Sequence, residues 1–154
     1  MANSNPFYSA WSPRVLSVLR IVAGFLFLEH GLQLLLAFPA AGQPGGTPAP
    51  LLSFMGITGA LELVGGLLLM LGLLTRLVAF ILSGQMAVAY FMAHAPQGFW
   101  PVLNKGELAA LYSFVFLYLA AAGGGVWSLD NLLWRGDGNS SHTGTANGSI
   151  REGV

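Results

Sequence analysis

Long apolar runs broken by single polar side chains dominate the pattern of this chain. Residues 19–38, LRIVAGFLFLEHGLQLLLAF, are almost wholly apolar until Glu29, His30 and Gln33. Four such runs can be cut, from about Arg14 to Phe38, Leu51 to Leu74, Arg76 to about Ala93, and about Gly106 to Ala122. The first two meet or exceed the roughly 20 residues with which a helix crosses a hydrocarbon core about 30 Å thick. The last two are shorter and suit helices with little tilt; neither contains proline, so both are expected to be unbroken. The pattern predicts an all-α fold, an integral membrane four-helix bundle.

Between these runs, PAAGQPGGTPAP and HAPQGFWPVLN read as loops because proline and glycine punctuate them. Phe99 and Trp100 in the second are suited to a membrane interface. After Gly123, Gly124 and Gly125, the stretch WSLDNLLWR offers Ser128 as an N-cap. Trp127, Leu132, Leu133 and Trp134 there suit a short helix along the membrane surface. The expected division is a cytoplasmic segment over 1–13, a transmembrane domain with its interfacial helix over 14–135, and a disordered polar tail over 136–154. Arg14 followed by an apolar run imitates a signal peptide, but Val15 to Phe38 far exceeds a signal core of about 7–15 residues.

Composition agrees with a lipid environment. Of 154 residues, 55% are hydrophobic and 8% charged, against about 25% charged in ordinary globular proteins, and the mean hydropathy is +0.67. The formal net charge is zero, which offers no basic patch for nucleic acid. Cysteine is absent, which removes disulfides and thiolate metal sites. Arg14, Arg20, Arg76 and Arg135 gather on one side of a four-span chain with only Lys105 opposite, so the positive-inside rule places both termini in the cytoplasm.

Each span carries a strong polar group, at Glu29, Glu62, Gln85 and Glu107. A rise of about 1.5 Å per residue sets Glu62 and Gln85 near the midplane, Glu29 slightly outward and Glu107 near the outer surface. An acid at a helix centre costs about 2.5–3.5 kcal/mol even on mild insertion scales, so these groups should face inward, pair or carry a proton. Gly59, Gly65 and Gly66 share the face of Glu62, the arrangement by which helices approach closely in lipid. Glu62 is thus either hydrogen-bonding glue in a helix contact or a functional acid. Glu29 and Gln33 lie one turn apart on one face, with His30 rotated by about 100°. Arg20 is expected to snorkel to the interface, with a carboxylate on another helix as its alternative partner. Haem is disfavoured because His30 and His94 differ in depth by roughly 7–8 Å. No covalent cofactor and no metal site are expected, and hydrolytic or nucleotide-binding motifs are absent.

EHGLQ at 29–33, GALELVGGLLLMLGLLTR at 59–76, SGQMAVAYFMAHAPQGFWPVLNKGELAALY at 83–112 and GGGVWSLD at 123–130 together resemble the DoxX family of small four-helix membrane proteins. The likeness runs from about Val15 to Asp130. It implies a multi-pass protein of the bacterial cytoplasmic membrane, related to the small subunit of thiosulfate:quinone oxidoreductase. On that resemblance the polar set Glu29, His30, Gln33, Glu62, Gln85, His94 and Glu107 would contact a quinone headgroup or support a redox partner subunit. Leu34 departs from the family pattern, in which lysine often follows the glutamine of the first-helix motif. The alternatives are a non-catalytic anchor or assembly protein, and a small transporter, which would need a homo-oligomer because four spans without a broken helix offer no path. Partners beyond the lipid bilayer are then a redox subunit or further copies of this chain.

Overall fold

The computed structural model describes residues 6–39 and 47–135. The expected tail over 136–154 and residues 1–5 of the expected N-terminal segment lie outside them. Among the described residues the protein is helical with no strand: α1 Pro6–Leu36, α2 Phe54–Leu71, α3 Thr75–Ala89, α4 Pro101–Asn104, α5 Glu107–Ala122 and α6 Leu129–Arg135. Between α3 and α4 the helix continues as a π-turn, Tyr90–His94, and a 3₁₀ turn, Ala95–Gln97. Three stretches are long and apolar enough to span a membrane, Ser9–Leu36, Phe54–Leu71 and Thr75–Gln97, and α5 is a shorter apolar helix.

Two boundaries differ from the sequence expectation. α1 starts at Pro6, with Pro13 inside the helix, not near Arg14. The added turns are held locally: Phe7 packs on Trp11 at 6.1 Å, and Arg14 lies 5.7 Å from the Trp11 ring while donating to Ala10 O at 2.8 Å. HAPQGFWPVLN is largely helical instead of loop. Pro96 and Pro101 stand at the start of helical turns, where no backbone N–H is required. Ser128 is the N-cap expected of a short helix in WSLDNLLWR, its Oγ accepting from the N–H of Asn131 at 3.2 Å at the start of α6.

α1 and α2 pack antiparallel through glycine. A Cβ on Gly24 would stand 2.8 Å from Gly66 O, one on Gly66 2.5 Å from Leu28 N, and one on Gly59 2.9 Å from Leu34 Cβ; Gly31 sits directly on the Leu63 backbone. Gly24 and Gly31 on α1, and Gly59 and Gly66 on α2, are each seven residues apart, so two full turns of each helix meet the other. In lipid, where burying an apolar side chain against another gains little over burying it in acyl chains, such backbone contact is what joins helices. The remaining core lies between α1, α3 and α5, where Phe27 meets Phe116 edge-on at 4.5 Å and Tyr112 at 4.9 Å, beside Ala79, Leu82 and Leu119. α3 and α5 are also tied by Ser83 Oγ donating to Ser113 O at 2.7 Å. Large apolar side chains such as Phe25, Phe80 and Phe114 face outward, as a lipid solvent demands.

Arg20 departs most from expectation. It is fully buried and does not reach outward. Nε donates to Gly124 O at 2.8 Å, Nη1 to Met70 O at 2.7 Å and to Leu69 O, and Nη2 to Trp127 O at 2.5 Å. The carbonyls at the end of α2 have no intrahelical partner, and the negative end of the helix dipole favours a cation there. α2 itself stops at Gly72, whose φ of 69° and N–H to Leu69 O at 3.0 Å, with Leu73 N–H to Leu68 O at 3.0 Å, form a Schellman turn. A side chain on Gly72 would also strike Ser128 Cβ at 2.5 Å.

Gly66→Ala forces backbone apart at the α1–α2 seam and should lower stability by about 1–3 kcal/mol. Gly84→Ala, where a Cβ meets nothing within 4 Å among the described residues, should be neutral or stabilising. Unfolding in detergent by a denaturant titration of the two variants reads the difference, and equal losses would refute the glycine seam.

Candidate functional site

α2 is held between two neighbours, and its glycines divide accordingly. Gly59 and Gly66 face α1, whereas Gly65 faces α3, with a Cβ position 3.1 Å from Leu82 Cδ1. Glu62 lies between these two directions, about 60° or less around the helix from each glycine, and so it is buried, with 6% of its surface exposed. Its described hydrogen-bond partner is Gln85 of α3, whose Nε2 donates to Glu62 Oε1 at 3.0 Å and lies 3.5 Å from Thr58 O. Gln85 Oε1 is buried without a hydrogen-bond partner among the described residues. The Glu62–Gln85 pair thus joins the two groups placed nearest the midplane by helix register, and leaves one strong acceptor unsatisfied.

The other expected site residues do not gather around this pair. Glu29 and Gln33 are half-buried and His30 is exposed. Glu29 and Gln33 each stand two residues from Gly31, about 200° around α1 from the surface that meets α2, and hydrogen-bond no side chain among the described residues. His30 has a ring contact with Phe27 at 6.4 Å. Glu107 is exposed in the first turn of α5, where a carboxylate complements the positive end of the helix dipole.

His94 belongs to a separate arrangement at the far end of the α3 stretch. Its Nδ1 is 3.0 Å from the carbonyl of Asn104; since that oxygen can only accept, Nδ1 carries the proton and Nε2 is left free to accept. Asn104 is itself buried, with 2% exposed, and closes the turn by donating to Gly98 O and accepting from Gly106 N–H, both at 2.8 Å. Tyr90 stacks on His94 at 6.4 Å, and a Cβ on Gly106 would stand 2.7 Å from the Tyr90 ring. The π-turn that carries Tyr90 and His94 is a local widening of the sort common at functional sites.

Sequence reasoning gave no role to Asp130 or Thr75. Asp130 Oδ1 and Oδ2 accept the N–H groups of Leu74 and Thr75 at 2.7 and 2.8 Å, and its own N–H donates to Gly72 O at 2.9 Å. It therefore caps α3 from more than fifty residues away. The available signal was an acid following a glycine run at GGGVWSLD, which reads locally only as the first turn of α6. Among the described residues no group of three or more histidine, aspartate or glutamate side chains could hold a metal ion.

Comparisons with known proteins extend this picture. A family model described as DoxX matches residues 15–95, just over half of the chain. An uncharacterized protein of Haemophilus influenzae is 45% identical over 130 residues, covering 81% of this chain and 95% of its own. An uncharacterized membrane protein of Mycobacterium tuberculosis is 32% identical over 141 residues, 80% of this chain and 84% of its own. A Bacillus subtilis protein bearing the name "Putative oxidoreductase CatD" is 28% identical over 125 residues, 80% of this chain and 90% of its own. No solved structure matches.

The pair can be tested apart from any ligand. Gln85→Leu strands the Glu62 carboxyl and should cost about 1–3 kcal/mol of stability, whereas the double variant Glu62→Leu, Gln85→Leu should regain most of that loss. A double-mutant cycle by denaturant titration reads the coupling; strictly additive losses would dissolve the pair.

Proposed function

The chain belongs to the DoxX family of membrane proteins, and on that premise we propose that it is a redox-associated subunit of the bacterial cytoplasmic membrane that handles a quinone beside a partner protein. The buried Glu62–Gln85 pair carries this reading. The name of the Bacillus subtilis relative supports the redox direction, and the arginine distribution supports cytoplasmic termini.

The donor and acceptor inventory of the pair fits a quinone headgroup. Gln85 Oε1 would accept from a quinol hydroxyl, the second N–H of Gln85 Nε2 would be left to donate to a ring carbonyl, and Glu62 would give or take the accompanying proton. The quinone, when bound, supplies the two-electron chemistry that no described side chain of this protein provides. Gln85 is half-buried and beside it Gly84 is exposed without a side chain, which leaves room for an apolar ring to approach from the lipid. Glu29, His30 and Gln33 on α1, with His94 and Glu107, stand apart from this pair and serve the partner or the membrane boundary.

The anchor reading rests on a different observation, the glycine seam itself, which needs no ligand to explain Glu62 as interhelical glue. Two measurements separate the readings. Titration of purified protein with a quinone analogue should show saturable binding that Glu62→Gln weakens by roughly tenfold, the worth of one hydrogen bond to a charged or strongly polar group. Unchanged analogue affinity in that variant, together with recovery of a stable protein partner that Glu62→Leu loses, would leave the anchor reading in its place.

A further inference from the structure

We propose that the cleft between the start of α3 and the end of α5 is a binding site for the phosphate headgroup of an anionic phospholipid. This site lies at the Arg76 end of the bundle and is independent of the quinone reading.

The cleft has a volume of about 460 Å³. Its floor is Gly123, Gly124 and Gly125, and its walls include Thr75, Arg76 and Asp130. Arg76 is exposed, and one Nη of its guanidinium is spent on the end of α5, donating to Ala120 O at 3.2 Å and Ala121 O at 2.6 Å. Nε and Nη2 carry no described hydrogen bond. They lie over Gly123, where a Cβ would stand 3.3 Å from Nη2 and where φ is 89°, so this position is held open to glycine twice over. A guanidinium edge with two parallel donors is the geometry that phosphate accepts.

Thr75 supplies the second, independent sign of a ligand. It is fully buried, it lines the cleft, and its Oγ1 has no hydrogen-bond partner among the described residues. A buried hydroxyl left unpaired destabilises a protein, and a phosphate oxygen would accept a hydrogen bond from it. The acid in the wall does not oppose an anion strongly. Both Asp130 oxygens are occupied by the N–H groups of Leu74 and Thr75. Arg20 stands behind the glycine floor through Gly124 O, so two guanidinium groups face one carboxylate.

The surroundings select a lipid over a free phosphate ion. Thr75 opens the apolar stretch Thr75–Gln97 and Ala122 closes α5, so the cleft sits where spanning helices leave the hydrocarbon, at headgroup level. Leu74 and Leu77 stand 55% and 57% exposed at its lip. Phe80 and Ile81 continue the exposed face of α3, along which acyl chains can lie. A phosphate alone would leave this lip unused.

Native mass spectrometry of the detergent-purified full chain, titrated with dioctanoyl phosphatidylglycerol, tests the site against dioctanoyl phosphatidylcholine and inorganic phosphate. Saturable one-to-one binding of the phosphatidylglycerol is expected, with Arg76→Gln losing it. Because Arg76 also holds the end of α5, Thr75→Val is the sharper variant. It matches threonine in shape, so lipid-free protein should melt at the same temperature or higher, while affinity for phosphatidylglycerol falls roughly tenfold for the lost charge-assisted hydrogen bond. Equal phosphatidylglycerol binding by wild type and Thr75→Val would overturn the proposal. So would equal binding of phosphatidylcholine, or saturation of the same site by inorganic phosphate.

Discussion

A cation buried at the end of a helix sets the architecture of this protein. The last turn of α2 leaves carbonyls outside its own ladder, and Arg20 brings a guanidinium from α1 to meet Met70 and to share Leu69 with the Gly72 N–H, while its other edges take Gly124 and Trp127. Asp130 mirrors this at the start of α3, where unpaired N–H groups meet a carboxylate. Each charge is thus compensated chiefly by a helix terminus of opposite polarity, not by a direct ion pair. The short α2–α3 connection is thereby gripped from both sides, and the glycine run that follows α5 is pinned to α1. Ser17 adds to this grip, accepting from Trp127 N–H at 3.1 Å. The result is a rigid end to the bundle, against which the α1–α2 glycine seam and the α3–α5 contact are set in register.

From that end the polar groups sort by depth, and their chemistry sorts with them. At the gripped end most described donors and acceptors are taken by backbone, while Thr75 Oγ1 has no partner among the described residues and one edge of Arg76 carries no described hydrogen bond; both residues line the same cleft. In the middle stands Glu62 with Gln85, a pair with one hydrogen bond made and one acceptor unmet. At the far end Asn104 closes the turn that holds His94. A bilayer interior penalises every unmet polar group, so those left unmet mark where an exchangeable proton, a lipid or a ligand completes the structure. The proposed redox role and the proposed headgroup site both rest on such groups, one in the middle of the bundle and the other at its gripped end.

The helical fold was legible in the chain because it depends on the length and apolarity of segments, and Glu62 was legible because three glycines share its face. What escaped was everything set by partners distant in sequence. Arg20 looks like a snorkelling residue from its own helix, since its acceptors are carbonyls of residues 69, 70, 124 and 127, and carbonyls leave no mark in a sequence. Asp130 looks like a first-turn acid of α6, yet it caps α3. Glu29, Glu62 and Glu107 look alike as acids in apolar runs, and only packing shows that the first is half-buried, the second enclosed and the third exposed. The extension of α1 to Pro6 was hidden by Pro13, which sits inside the helix with Ser17 Oγ donating to its carbonyl at 2.9 Å. Register along one helix could not assign neighbours to the polar set read from the sequence.

The clamp at Arg20 is tested most directly by hydrogen–deuterium exchange on the full chain in detergent or nanodiscs, comparing wild type with Arg20→Met. Methionine keeps an unbranched apolar stem but carries no charge and donates nothing, so four carbonyl contacts are lost at once. Amides over 72–76 and 123–131 should lose protection by roughly a hundredfold or more, as expected if about 3 kcal/mol of local stability is removed, while α3 beyond Val78 and the middle of α5 keep theirs. Unaltered protection over 72–76 and 123–131 in Arg20→Met would contradict the account, since the end of the bundle would then hold without the buried cation.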